Sequence, residues 1–143
     1  MKIGLTGSTG VLGSLLKKEN KIKPVSFKGD ITNKNDVTKW IKSNNFDSII
    51  HLAAIVPTVK VNQDKKYAYK VNFEGTKNII DAFNSFSNKK IWFFFGSTSH
   101  VYKLGTKKKN EKHKPVPQNY YGKTKLLSEK YILKNCNLYT PCI

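Results

Sequence analysis

Apolar and polar residues fall into alternating blocks along this chain, and the period of the apolar positions changes from block to block. Ile3, Gly4 and Leu5 make a short apolar run that stops at Thr6, after which Val11, Leu12, Leu15 and Leu16 recur at helical spacing as far as Lys18. Pro24 closes that segment, and Val25 to Phe27 reads as a short strand running into Gly29 and Asp30. From Lys34 onwards, Val37, Trp40 and Ile41 share one face of a second helix that Asn44 and Asn45 end. Asp47 to Val56 is almost unbroken in its apolar character, as in a parallel strand buried on both faces, and Pro57 stops it. Tyr67 to Phe86 is the longest helical stretch, Ile91 to Phe95 a further buried strand, and a last helix covers Tyr121 to about Leu133 after a polar loop from about Lys103 to Gln118. Strands alternating with helices over short connections predict an α/β fold: a doubly wound, Rossmann-like parallel sheet in three αβα layers, built as one domain over residues 1–143.

The first connection carries the first chemical signal. Thr6-Gly7-Ser8-Thr9-Gly10-Val11-Leu12-Gly13 follows the opening strand and feeds straight into a helix. The first glycine suits a tight turn, the second a close approach of main chain to a ligand, and the third the packing of helix on strand. The free N–H groups at such a helix start suit a pyrophosphate. A glycine turn with no ligand is the alternative for this segment taken alone.

Charge changes the picture less than its size suggests. The net charge is +17, from 26 Lys plus Arg against 9 Asp plus Glu, yet every one of the cations is lysine. Sequence-specific readers of DNA lean on the bidentate arginine fork, and the lysines are spread along the chain, with one dense run at Lys107, Lys108 and Lys109. A nucleic-acid partner is therefore not expected, while attraction for anionic small molecules is. Cys136 and Cys142 lack metal-ligand spacing and read as free thiols, with no metal site. The apolar runs are far too short to span a bilayer and the chain opens directly with a strand, so a cytoplasmic protein without a membrane partner is expected.

Ligands of such sheets sit at the carboxyl ends of the strands. There the chain places His51-Leu52-Ala53-Ala54, whose small side chains leave room for a flat ring or a ribose, and the hydroxyl cluster Ser97-Thr98-Ser99. Downstream, Tyr121 and Lys125 stand four apart on one helix face. An ammonium beside a phenol favours the phenolate, equipment for moving a proton while a nicotinamide moves a hydride.

The ordered set Thr6 to Gly13, Gly29-Asp30-Ile31-Thr32, His51 to Ala54, Val71-Asn72-Phe73-Glu74-Gly75-Thr76-Lys77-Asn78, Ser97 to Tyr102 and Tyr121 to Lys125 resembles the extended short-chain dehydrogenase/reductase superfamily, in its NAD-dependent epimerase/dehydratase group. The resemblance implies an NAD- or NADP-dependent enzyme that epimerises, dehydrates or reduces a nucleotide sugar. It gives Tyr121 the role of acid/base, Lys125 that of lowering the tyrosine pKa and holding the nicotinamide ribose, and Thr98 that of the hydroxyl on the substrate oxygen. It assigns the cofactor to Gly7, Thr9, Gly10, Val11, Leu12 and Gly13 at the diphosphate, Asp30 and Ile31 beside adenine, Leu52, Ala53, Ala54 and Asn72 along the cleft, and Tyr121 and Lys125 at the ribose. It also implies a homodimer through the helices carrying Asn72 and Tyr121. His51 reads as a packed histidine at a strand end, and His100 has no assigned role.

Two departures from the family pattern stand out. Sixteen residues separate Gly13 from Asp30, too few for the usual helix, strand, helix and strand, so Val25 to Phe27 has to replace a shortened β2–β3 region, and no acid stands there to read the ribose. Family members also continue through further strands and a substrate-binding C-terminal region, which this chain is expected to lack. A dinucleotide-binding module without turnover remains the alternative to an enzyme.

Overall fold

The computed structural model of the chain describes residues 1–19, 21–56, 58–87, 89–105, 108–135 and 139–143. Pro57, Lys107 and Cys136, and with them the strand stop, part of the lysine run and one of the thiols expected from sequence, lie outside the described residues.

Five parallel strands, β1 (Ile3–Thr6), β2 (Val25–Ser26), β3 (Ser48–His51), β4 (Ile91–Phe95) and β5 (Tyr139–Cys142), pair in the order β2-β1-β3-β4-β5. Around them lie α1 (Val11–Lys18), α2 (Lys34–Lys42), α3 (Thr58–Gln63), α4 (Lys65–Tyr69), α5 (Gly75–Phe86) and α6 (Tyr120–Lys134). The chain moves outwards from β1 to β2, then crosses back past β1 to β3 and keeps that direction to β5. Right-handed crossovers therefore set α1 on one face of the sheet and α2, α5 and α6 on the other. The doubly wound α/β architecture expected from the sequence is the one observed.

The aromatic strand β4 shows how unequal the two faces are. Ile91, Phe93 and Phe95 are buried with Ile49, Ile80 and Phe83 in the core under α2, α5 and α6. Trp92, on the α1 face, is 43% exposed and Phe94 is half-buried.

Three expectations need correcting. The apolar run Asp47 to Val56 is strand only over Ser48–His51. Beyond it the main chain finds side-chain partners in place of a ladder: Ala53 N–H donates to Thr6 Oγ1 (3.2 Å) and Ile55 N–H to Asn72 Oδ1 (2.7 Å). The helix expected from Tyr67 begins at Lys65, capped by Asp64 Oδ1 on the Tyr67 N–H (2.8 Å), and winds one wide π-helical turn at Lys70–Glu74 before α5. A short helix, α3, precedes it where a connection was expected. The segment at Val25 to Phe27 is a two-residue edge strand beside β1, so β2 does replace the shortened region; Phe27 N–H still donates to Leu5 C=O at 2.8 Å.

Candidate active site

The crevice of a doubly wound sheet opens where neighbouring strands send their connections to opposite faces, which here is the carboxyl end of β1 and β3. The glycine turn sits in that crevice. Gly7 has φ 71°, a left-handed conformation that favours glycine, and a Cβ there would stand 2.6 Å from the Leu52 carbonyl carbon. A Cβ on Gly13 would lie 2.2 Å from Gly7 O, so the third glycine lets α1 close onto the turn. Gly10 differs: its Cβ would meet only Gly7 O, at 3.4 Å, and Thr9, Gly10, Val11 and Leu12 are all exposed. A glycine that packing does not demand, at the start of a helix whose first N–H groups have no intrahelical acceptor, fits a dinucleotide diphosphate.

The walls of the crevice are held by a run of buried hydrogen bonds whose direction can be assigned. Ala53 N–H donates to Thr6 Oγ1, the Thr6 hydroxyl meets His51 Nδ1 (2.6 Å), His51 Nε2 meets Thr76 Oγ1 (2.9 Å), and the Thr76 hydroxyl donates to Asn72 C=O (2.8 Å). Because the Thr76 proton is used on Asn72, His51 donates from Nε2, and a neutral ring then accepts the Thr6 hydroxyl proton at Nδ1. Burial and the nearby Lys125 ammonium push its pKa down to about 3, in accord with that assignment. His51 is thus the packed histidine expected from the sequence.

Leu52, Ala53 and Ala54 leave the end of β3 half-buried, along the crevice. Asn72 lies in the wide turn before α5 and is buried; besides accepting from Ile55 N–H, its Nδ2 donates to Ile55 C=O (3.1 Å) and to Thr124 Oγ1 of α6 (3.2 Å). Its amide is fully engaged with protein, so it shapes the cleft by holding the main chain past Ala54. Asp30 is exposed, with Oδ1 accepting from Thr32 N–H (2.8 Å) and the Thr32 hydroxyl (2.9 Å). The Ile31 side chain is buried in the core, where a Cβ on Gly75 would come within 2.9 Å of its Cγ2.

Thr98, Tyr121 and Lys125 come from two elements that meet closely. Thr98 follows β4 and caps the 3-10 turn Ser99–Val101 through His100 N–H (3.3 Å). Asn119 Oδ1 caps α6 on the Gly122 N–H (2.7 Å), and its Nδ2 donates to His100 Nδ1 (2.7 Å). A Cβ on Gly122 would fall 2.2 Å from His100 O, so a glycine after the tyrosine brings α6 against the turn. The outcome is that the turn capped by Thr98 packs on the start of α6, with the His100 ring edge-on to Tyr121 at 5.8 Å. Gly122, Asn119 and His100 had no part in the sequence-based assignment, although Tyr-Gly and the preceding Asn are legible as a helix start.

The electrostatics differ from the expectation for a phenol beside an ammonium. Tyr121 has its pKa raised by burial, partly offset by the nearby Thr98 hydroxyl, with no lowering from Lys125. The Lys125 side chain is 2% exposed and lies with Nζ 3.8 Å from the centre of the Phe95 ring. Burial lowers its pKa to about 7, against a raising influence from Glu129. Among the described residues there is no cluster of side chains suited to a metal ion, and no helix is long and apolar enough to cross a membrane.

Comparison with known proteins places these features in context. The chain is 29% identical over 148 residues to dTDP-4-dehydrorhamnose reductase from Salmonella typhimurium, covering 95% of this chain and 48% of that protein. It is 32% identical over 106 residues to UDP-glucose 4-epimerase 3 from Oryza sativa subsp. japonica, covering 72% of this chain and 27% of that one. A dTDP-4-dehydrorhamnose reductase from Bacillus anthracis, solved in complex with NADP, superposes with a TM-score of 0.83 at 28% identity over 99% of this chain and 52% of its own. A Clostridium acetobutylicum dTDP-4-dehydrorhamnose reductase does so with a TM-score of 0.83 at 32% identity, again over 99% and 52%. The chain thus spans about half the length or less of the relatives it matches. Residues 1–140 match the family described as RmlD substrate binding domain, and the chain belongs to that family, within the extended short-chain dehydrogenase/reductase and NAD-dependent epimerase/dehydratase superfamily.

Proposed function

We propose that this chain is the dinucleotide-binding and proton-transferring half of an NAD- or NADP-dependent enzyme that reduces or epimerises a nucleotide sugar. The reading is carried by the packing of the Thr98-capped turn against Tyr121 at the start of α6, with Lys125 one turn further along the same buried helix face. The relatives are named as sugar-nucleotide reductases and epimerases, and one structural relative is described with NADP, which supports the cofactor class.

Gly7, Thr9, Gly10, Val11, Leu12 and Gly13 would hold the diphosphate, Asp30 and Ile31 would border the adenosine, and Leu52, Ala53, Ala54 and Asn72 would form the cleft wall. When bound, the cofactor supplies or accepts the hydride. Tyr121 gives its phenolic proton to a substrate oxygen in reduction, or takes one back in oxidation. Thr98, on the turn packed against Tyr121, offers a second hydrogen bond to the same oxygen. Lys125 donates to a ribose hydroxyl and, once drawn towards Tyr121, favours the phenolate. The helices carrying Asn72 and Tyr121 would form the contact between two subunits. A binding module without turnover is the second reading, favoured by the raised Tyr121 pKa.

Titration with NADH and NADPH, followed by nicotinamide fluorescence, tests the shared core of both readings; binding of neither sinks both. With dTDP- or UDP-sugars supplied, turnover lost in Tyr121→Phe while cofactor binding persists supports the enzyme, whereas unchanged turnover in that variant removes Tyr121 from the mechanism.

A further inference from the structure

One charged group near the site has no part in the scheme above. Glu129 stands one helical turn beyond Lys125 on α6 and is half-buried. Ser97, at the end of β4 and directly before Thr98, donates its hydroxyl to Glu129 Oε1. The carboxylate is therefore tied to the strand end that carries Thr98, while its charge acts on Lys125, which rests on Phe95 from the same strand. Among the described residues Lys125 makes no direct ion pair; the ion pairs present are Lys77 with Asp81 and Lys89 with Asp47.

We propose that Glu129, held by Ser97, is a positioning residue for Lys125: its negative charge lies close enough to favour the ammonium, yet is restrained from capturing it in a salt bridge. The chemistry explains why such an arrangement serves a ribose-binding lysine. A lysine buried against an aromatic ring with no acid nearby surrenders its proton, and one locked in a salt bridge has its donors occupied. A carboxylate anchored by a hydroxyl one turn away avoids both outcomes. Among the described residues, the other titratable groups on the Lys125 side are His51 from β3, which opposes its charge if protonated, and Tyr121, one turn earlier on α6. With His51 neutral, Glu129 is the group whose charge favours the Lys125 ammonium.

The electrostatic part is independent of any cofactor, while its catalytic relevance rests on the function proposed above. The whole chain, carrying 15N-lysine, is titrated by NMR, and the Lys125 Nζ signal is identified by its loss in Lys125→Met. Glu129→Gln is expected to move the Lys125 titration down by about one pH unit. Ser97→Ala is expected to move it up, because the released carboxylate can then reach the ammonium directly. No shift in Glu129→Gln overturns the proposal; a downward shift or none in Ser97→Ala overturns the restraint assigned to Ser97. If Glu129→Gln fails to fold by circular dichroism, the Ser97→Ala titration decides alone, since an upward shift needs an acid within reach of Lys125. In parallel, the pH at which NADH or NADPH binding weakens should follow the same two displacements. Absence of cofactor binding to the native chain would refute the proposed function and leave the lysine titration to judge Glu129.

Discussion

Asn72 grips Ile55 from both sides of one residue's backbone, its Oδ1 accepting from the Ile55 N–H at 2.7 Å and its Nδ2 donating to the Ile55 C=O at 3.1 Å. The same amide reaches Thr124 on α6, so one side chain ties the cleft wall to the helix that carries Tyr121 and Lys125. Asn72→Ala leaves those main-chain groups without their partner and is expected to cost about 2–4 kcal/mol. Urea denaturation gives the loss, and faster hydrogen exchange at the Ile55 amide would localise it; unchanged exchange there would contradict the clamp.

Lys125 should lower stability at neutral pH. Its folded pKa, about 7, lies below the ordinary 10.5, so the unfolded chain binds more protons between those values, and stability rises with pH across that window. Lys125→Met removes the penalty and is expected to gain a few kcal/mol, on the order of 2–4, at pH 7, shrinking towards pH 10. Denaturation curves at pH 7 and 9.5 for both proteins test this, and an equal difference at the two pH values would contradict it.

His51 should make the protein sensitive to mild acid. Its pKa falls from 6.5 unfolded to about 3 folded, so stability declines as pH drops from about 6.5 towards 3. His51→Phe is expected to be less stable at pH 7, having lost its two hydroxyl partners, but to show a flatter profile between pH 6.5 and 4.5. The exposed Asp47, whose carboxyl Lys89 holds below 3.8, acts below that window and does not confuse the comparison.

Two glycines of the first turn, Gly10 and Gly13, should separate by experiment. Gly13→Ala places a methyl 2.2 Å from Gly7 O and should destabilise by about 2–4 kcal/mol, as severe overpacking does. Gly10→Ala meets no such obstacle in the fold and should leave thermal stability within about 1 kcal/mol while weakening NADH or NADPH binding tenfold or more. Thermal melts and fluorescence titration measure the two effects; equal loss of stability in both variants would refute the division of labour.

The sequence foretold the strands and long helices because each is marked by a pattern with a physical cause, such as the apolar run of β4 or the spaced Val37, Trp40 and Ile41 of α2. It misjudged the end of β3 because Leu52 to Val56 is as apolar as a strand, while the partners that draw it out of the sheet, Thr6 and Asn72, lie far off in the chain. Grouping Thr98 with Tyr121 was read from ordered motifs, and in the fold the turn that Thr98 caps lies against Tyr121 through the His100 ring. The orientation of Lys125 was not: four-residue spacing puts it on the face of Tyr121, but whether its long side chain meets the phenol or turns onto Phe95 depends on a ring from another element. Ile31 illustrates the same limit, since a residue beside a cofactor motif can still spend its side chain on the core.

The uneven cover of the sheet carries a thermodynamic consequence. With α1 the helix on its face among the described residues, Trp92 remains 43% exposed, and Leu12 and Leu15 on that helix are 63% and 58% exposed. Apolar surface of this kind lowers its free energy by finding any complementary surface, and whatever covers the native face without binding the unfolded chain adds to stability by mass action. The melting temperature of this chain is therefore expected to be a function of concentration rather than a constant, rising when a complementary surface is supplied.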